Sequence, residues 1–334
     1  MKSQSLRWLV IAAVVALGAA LYATSVRQPV AEAGLGVKLY PDLGAKLNDV
    51  TAVRIYGAGD KQTVDIEKSA AGWTVTERAG FPADVGRVRE LLLALAKART
   101  IERKTEIATK LPALGLEDLT APTATGKRLE LTGTPQPVSL IIGKSPDDHS
   151  SFVRRAGEAQ SWQVDVALHA ESDPRHWLQS KILQVPPPRV RAVETQLTGG
   201  PAWSVAKAAA TDPDFAVSGL PKGRELSSPA AANELASSLT ALEVDDVRAT
   251  GAAVTPAAAV TTLRTFDGLV VRIEGFTEGE QHFVRVAPSA TSAATAAVRT
   301  EVAGIERLTH GYELEIPAYK YSTLFPSLAE PRKK

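Results

Sequence analysis

Val50-Thr51-Ala52-Val53-Arg54-Ile55-Tyr56 alternates apolar and polar side chains, and Gly57-Ala58-Gly59-Asp60 then supplies turn residues. Thr63-Val64-Asp65-Ile66-Glu67 and Trp73-Thr74-Val75-Thr76 resume the alternation. Period two puts every second side chain on one face, the pattern of half-buried strands joined by tight turns. Pro82-Ala83-Asp84 then opens a helix with Asp84 as its N-cap, and Val88, Leu91, Leu92, Leu95 and Ala98 form an apolar stripe at helical spacing. Residues 100–105 read as extended and lead into a loop holding Pro112, Leu114, Gly115 and Leu116.

The same order of elements returns downstream. Val190, Ala192 and Val193 begin a strand, Trp203-Ser204-Val205-Ala206 follows as a second, and Phe215-Ala216-Val217 stands where Trp73-Thr74-Val75 stood. Ser228 offers an N-cap with Pro229 at the first helical position, and Leu235, Leu239 and Leu242 continue as a helix stripe 144 residues after Leu91, Leu95 and Ala98. Lys104 and Arg248 share that offset. Phe152-Val153-Arg154 corresponds to Phe283-Val284-Arg285, and residues 162–166 to 312–316. The alanine-, serine- and threonine-rich stretch 289–298 is expected to be a loop insertion, and Pro186-Pro187-Pro188 a stiff linker. The sequence therefore predicts an α+β protein made of two tandem repeats, residues 40–185 and 190–330, separated by 186–189. Each repeat is a mainly antiparallel sheet with a packed helix, and a basic tail follows at 331–334. Coincidence between two alanine-rich stretches is the competing explanation.

Toward the N-terminus, Lys2 and Arg7 precede a 19-residue uncharged run, residues 8–26, which Arg27 ends. At about 1.5 Å per residue a helix of that length spans roughly the 30 Å core of a bilayer. Trp8 and Tyr22 near its ends suit the interfaces, and the flanking charges favour a cytoplasmic N-terminus at residues 1–7. The expectation is a single-pass anchor in a bacterial inner membrane, a tether at 27–39, and the bulk of the chain periplasmic or extracytoplasmic. A cleaved signal peptide ending near Ala23-Thr24-Ser25 is the alternative.

Composition narrows the chemistry. Of 334 residues, 44% are hydrophobic and 22% charged, enough to build a core. Lysine plus arginine number 38 against 37 acidic residues, a balance that speaks against nucleic acid as a partner. The absence of cysteine removes thiolate metal sites, iron–sulfur clusters and thiol nucleophiles. Gly143-Lys144-Ser145 resembles the end of a phosphate-binding loop, but Val138 occupies the position of its first glycine, so no nucleotide is expected. His169 and His176, with Glu171 and Asp173 between them, have metal-ligand chemistry, yet Pro174 interrupts them and a solvated loop with an aspartate cap explains them as well. Asp147-Asp148-His149 and Asp212-Pro213-Asp214 read as turns, and Glu313 and Glu315 as charges on an exposed strand face. No serine-nucleophile elbow occurs. No cofactor is expected. Arg154 and Arg285 recur at equivalent points of the two halves. They are the candidate ligand or partner contacts, with pairing to a neighbouring carboxylate as the structural alternative.

Tyr40-Pro41-Asp42-Leu43, Leu47-Asn48-Asp49-Val50, Trp73-Thr74-Val75, Phe81-Pro82-Ala83-Asp84 with the leucine helix after it, Leu114-Gly115-Leu116-Glu117-Asp118, Ile141-Ile142-Gly143, Phe152-Val153-Arg154 and Trp177-Leu178-Gln179-Ser180-Lys181-Ile182-Leu183 together resemble the family labelled domain of unknown function 4340. The resemblance spans residues 38–330. It implies a single-anchor envelope protein encoded beside ABC transporters of the gliding-motility type, with no catalytic residues to carry over. The expected function is a non-enzymatic accessory or scaffolding subunit with ABC permease and ATPase partners. An envelope module binding glycan or lipid without a transporter is the alternative, and a hydrolase without a signature is a third reading.

Overall fold

The computed structural model describes residues 34–226 and 230–328. The run 8–26 and the Ser228-Pro229 cap lie outside the described residues. Among the described residues no helix is long and apolar enough to cross a membrane.

The first part of the chain gives β1 (Ala52–Gly57), β2 (Lys61–Ser69), β3 (Gly72–Val75), β4 (Phe81–Pro82), helix α1 (Val85–Lys97), β5 (Thr100–Arg103), β6 (Lys127–Thr132), β7 (Val138–Ile142), β8 (Ser151–Arg155) and β9 (Ser161–Val164). After β10 (Lys181–Leu183) come β11 (Val190–Leu197), β12 (Trp203–Ala206), β13 (Ala216–Ser218), α2 (Ala231–Ala236), β14 (Leu242–Glu243) and β15 (Asp246–Ala249). The chain closes with β16 (Ala259–Thr265), β17 (Leu269–Glu278), β18 (Gln281–Ala290), α3 (Ala296–Thr309), β19 (Tyr312–Ile316) and α4 (Ala318–Leu324).

These strands form a nine-stranded sheet in the order β4-β3-β2-β1-β6-β7-β8-β9-β5 and an eight-stranded sheet in the order β13-β12-β11-β16-β17-β18-β19-β15. Apart from the extra β4, the two orders are the same. In each, the strand that follows the helical connection crosses to the far edge and pairs there antiparallel, β5 with β9 and β15 with β19. The protein is α+β with antiparallel sheets.

Local chemistry explains the elements. Asp84 accepts hydrogen bonds from the amides of Gly86 (2.8 Å) and Arg87 (3.2 Å), satisfying two of the donors that a helix start leaves open. Val88, Leu91, Leu92 and Leu95 of α1 are buried, each worth about 1.5–3 kcal/mol relative to exposure. The second helix is shorter than its leucine spacing predicts. It stops at Ala236: the Ser237 amide still donates to the Asn233 carbonyl (2.9 Å), but the Ser238 amide turns to the Leu235 carbonyl (3.1 Å), the tighter bonding of a helix's last turn. Leu239 and Leu242 are still buried, but beyond the helix, and Leu242 begins β14. The stretch 289–298 corrects a second expectation. It ends β18 and starts α3, whose Thr295 cap accepts from the Val298 amide and whose Val298, Ile305 and Leu308 are buried. An alanine-rich run with a cap and apolar residues at helical spacing has the propensity for helix.

The sheets share one hydrophobic cluster. The proline run carries a short 3-10 turn, Pro187–Arg189, between Val185 and Val190, both fully buried. Across that seam β10 pairs with β14, the Val185 amide donates to the Leu239 carbonyl (2.7 Å), and the Val244 amide donates to Ser180 (3.0 Å). Arg78 grips Asp246 through Nε (2.5 Å) and Nη2 (3.0 Å), and Phe81 meets Tyr312 edge to face at 5.0 Å.

The stretch expected to be a tether is fixed at its end. The Gly36 amide donates to the Thr100 carbonyl (2.7 Å), the Thr100 amide to Val37 (3.0 Å), and the Leu39 amide to Ala98 (2.8 Å). Arg99 Nη1 reaches the Gly36 carbonyl at 2.8 Å, and the Thr100 hydroxyl donates to the Gly34 carbonyl. Residues 36–39 thus line the β5 edge of the first sheet.

Candidate functional site

A cleft of about 460 Å³ opens beside α1, bounded by Arg87, Glu90, Leu91 and Ala94 on the helix. Asp148 and His149 from the β7–β8 turn, residues 165–167 and His169 after β9, and His176 with Trp177 complete its wall. Two polar segments that read from sequence as unrelated solvated loops, 147–149 and 169–176, therefore meet at one place. The N-cap at Asp84 fixes the start of α1, and the β8–β9 pairing fixes the loop that follows, so the walls are held by regular structure.

Trp177 is buried against the cleft, and its indole N–H donates to the Glu171 carbonyl at 2.8 Å. His176 stands edge to face on it at 5.2 Å. Arg87 donates to the His176 carbonyl and lies 3.7 Å from Asp84. Burial lowers the His176 pKa below the ordinary 6.5, and the positive charge of Arg87 lowers it further, against the opposing pull of Glu171. Glu171 is in turn 3.2 Å from Lys127. Asp165 accepts the Arg99 amide at 2.8 Å. Asp147 accepts the amide of His149 at 2.8 Å, which holds its carboxyl below the usual range. Asp173 accepts the amide of Arg175 as a cap, and its carboxylate pairs with the same arginine's guanidinium. Among the described residues no group of three or more histidine or carboxylate side chains is arranged to hold a metal ion.

On the outer side of α1 a second groove of about 430 Å³ runs past Gly86, Arg89, Leu93 and Lys97. Glu90, Ala94 and Val166 line both hollows, so they form one continuous surface with Leu93 exposed on it.

Arg154 and Arg285 lie elsewhere, and both are turned onto the chain itself. Arg154, only 4% exposed, donates from Nε to the Leu116 carbonyl (2.8 Å), from Nη1 to the Glu158 carbonyl (2.8 Å) and from Nη2 to Asp118 (2.5 Å). It pins the 111–118 segment to the sheet over the small cluster of Leu111, Leu116 and Ile141. Arg285 donates to Glu313 (2.9 Å) and to the Thr255 carbonyl (2.7 Å), lies 3.5 Å from Glu274, and stacks over Phe276. All three guanidinium nitrogens of Arg154 and both terminal nitrogens of Arg285 donate to internal acceptors, and Arg285 Nε faces the Glu274 carboxylate as an ion pair.

Glu313 departs from the exposed strand face expected for it. It is 3% exposed and is also held by Arg248 Nε at 2.8 Å, while Arg248 forks onto Glu278 with two 2.8 Å bonds. Glu278 raises the Arg248 pKa further, with Glu313 adding to it. Period-two reading places Glu313 on a face; it does not say that two arginines from neighbouring strands, 28 and 65 residues away, converge there.

Gly143-Lys144 has a structural role as well. A Cβ at Gly143 would lie 2.2 Å from the Leu114 carbonyl oxygen. The Lys144 amide donates to that same oxygen at 2.9 Å, and its ammonium to Ala113 at 3.0 Å. The motif docks the Leu111–Leu114 turn.

Comparison with curated proteins and with solved structures returns no match. Comparison with protein families matches residues 73–262, more than half of the chain, to the domain of unknown function DUF4340. The matched stretch runs from β3 to β16 and so crosses both sheets, in keeping with their common core. On that match, the chain belongs to the DUF4340 family.

Proposed function

We propose that this chain is a non-enzymatic, membrane-anchored envelope protein serving as an accessory or scaffolding subunit of an ABC-type transport complex. In this reading residues 8–26 span the inner membrane, the N-terminus is cytoplasmic, and the two sheets stand outside the cytoplasm as products of a duplication. Support for the anchor is the 19-residue uncharged run between Arg7 and Arg27. Support for the duplication is the common strand order. The observation that carries the partner role is the continuous surface along α1, where Leu93, 38% exposed, lines the outer groove that meets the cleft at Glu90, Ala94 and Val166, on a helix whose other face is locked in the core.

A second reading, an envelope ligand-binding module without a transporter, is favoured by one feature. The 460 Å³ cleft combines the buried Trp177 with His149, His169 and His176, a concave mix of apolar wall and polar groups that suits a small ligand.

Affinity purification of the full-length protein from membranes in mild detergent, with mass spectrometry, separates the two. The proposal expects an ABC permease and ATPase to co-purify, and Leu93→Asp to reduce their recovery. Absence of both transporter subunits overturns the accessory role and leaves the ligand-binding reading.

A further inference from the structure

Eleven large hydrophobic side chains are exposed among the described residues, and four of them fall in two short segments that meet at one sheet edge: Leu35 (39%) and Val37 (51%) beside Ile101 (47%) and Ile107 (49%). The two segments are joined by the Gly36–Thr100 and Thr100–Val37 backbone bonds. The charge at this edge is also unlike the rest of the chain. Residues 34–38 and 97–110 hold six basic residues and two acidic ones, whereas the remainder beyond Arg7 holds 30 basic against 35 acidic. Lys97, Arg99 and Lys110 are exposed there.

Position completes the case. Residue 26 ends the apolar run and Gly34 is already fixed, its carbonyl bonded to the Thr100 hydroxyl and its backbone against the Trp162 ring. Eight residues reach at most about 30 Å even when fully extended. A basic edge with exposed aliphatic side chains, tied that closely to a membrane span, matches an anionic lipid surface.

We infer that the β5 edge, through Val37, Ile101 and the surrounding lysines and arginines, rests on the anionic phospholipid surface of the membrane that holds the anchor. The inference depends on the anchor reading of residues 8–26. It fixes the orientation of the first sheet: β5 lies toward the bilayer and β4, eight strands away, is its distal edge.

The cysteine-free sequence allows a direct test. Full-length protein carrying Val37→Cys, Ile101→Cys or the second-sheet control Val254→Cys is labelled with an environment-sensitive fluorophore and reconstituted into vesicles. The vesicles are phosphatidylethanolamine with phosphatidylglycerol, or phosphatidylcholine alone, each with doxyl-labelled lipid as quencher. Positions 37 and 101 are expected to be quenched strongly in the anionic vesicles and position 254 weakly. Lys97→Gln and Lys110→Gln are each expected to shift the docked-to-free ratio by roughly fivefold toward free. Flotation with the vesicles but equal quenching at all three positions overturns the inference and leaves the anchor standing. Failure to float overturns both. Equal quenching in phosphatidylcholine contradicts the electrostatic part, and a blue shift without lipid quenching, seen only in native membranes, assigns the edge to a protein instead.

Discussion

Glu313 is shared by two cations: one carboxylate oxygen lies 2.9 Å from Arg285 Nη1 and the other 2.8 Å from Arg248 Nε. The three residues sit on adjacent strands β18, β19 and β15, where register places Arg248 directly opposite Glu313. Arg248 and Arg285 also stack over Phe283 and Phe276, so both charges are packed as well as paired.

Removing the central carboxylate takes one counter-charge from each arginine and leaves Arg248 with Glu278 and Arg285 with Glu274. Glu313→Ala is expected to destabilise the protein by about 3 kcal/mol, and Arg285→Met combined with Glu313→Leu by less than the single change. Urea denaturation of the three proteins checks this ordering.

Arg78 and Asp246 join the sheets across the seam at about one-fifth exposure each. Because the core is common, tryptophan emission, with Trp177 in the first half and Trp203 in the second, and far-ultraviolet circular dichroism are expected to report one coincident unfolding transition. Asp246→Ala is expected to lower the midpoint, at a cost of about 1–2 kcal/mol, without splitting the transition. Two separated transitions would mean that the sheets are independent domains.

At Gly143 the carbonyl of Leu114 and the side chain of Leu116 occupy the space a methyl group needs. Gly143→Ala is expected to cost about 1–3 kcal/mol by forcing the turn away from the sheet. Adding nucleotide is expected to leave the melting temperature of the unaltered protein unchanged.

Burial holds the His176 pKa below 6.5, with Arg87 acting in the same direction. The unfolded chain then takes up this proton more readily than the folded one. The linked stability is complete above about pH 6.5 and is lost as pH falls through the folded value. Nuclear magnetic resonance titration is expected to give a midpoint below 6.5 for His176, and Arg87→Gln to move it upward.

How much was legible follows from range. Strands such as β1 and β2 and the helix α1 declare themselves because period, cap and burial agree within a dozen residues. Helix α3 was obscured by its alanine-, serine- and threonine-rich start, although Ile305 and Leu308 supply its buried face. The cleft was not legible as a site, since its walls come from segments around residues 87–94, 148–149 and 165–177 that only the fold assembles. Nor was the seam, where Arg78 and Asp246 are 168 residues apart. At Arg154 and Arg285 recurrence was visible, but their partners Asp118 and Glu313 depend on loop docking and strand register.

The partner role is tested most directly by photo-crosslinking from position 93 on the exposed surface of α1. A photoreactive residue replacing Leu93 in the full-length protein, irradiated in native membranes, is expected to form a covalent adduct with an ABC permease or ATPase subunit, whereas one replacing Val217 is not. Absence of a transporter adduct at position 93, with the protein intact and membrane-bound, would contradict the account.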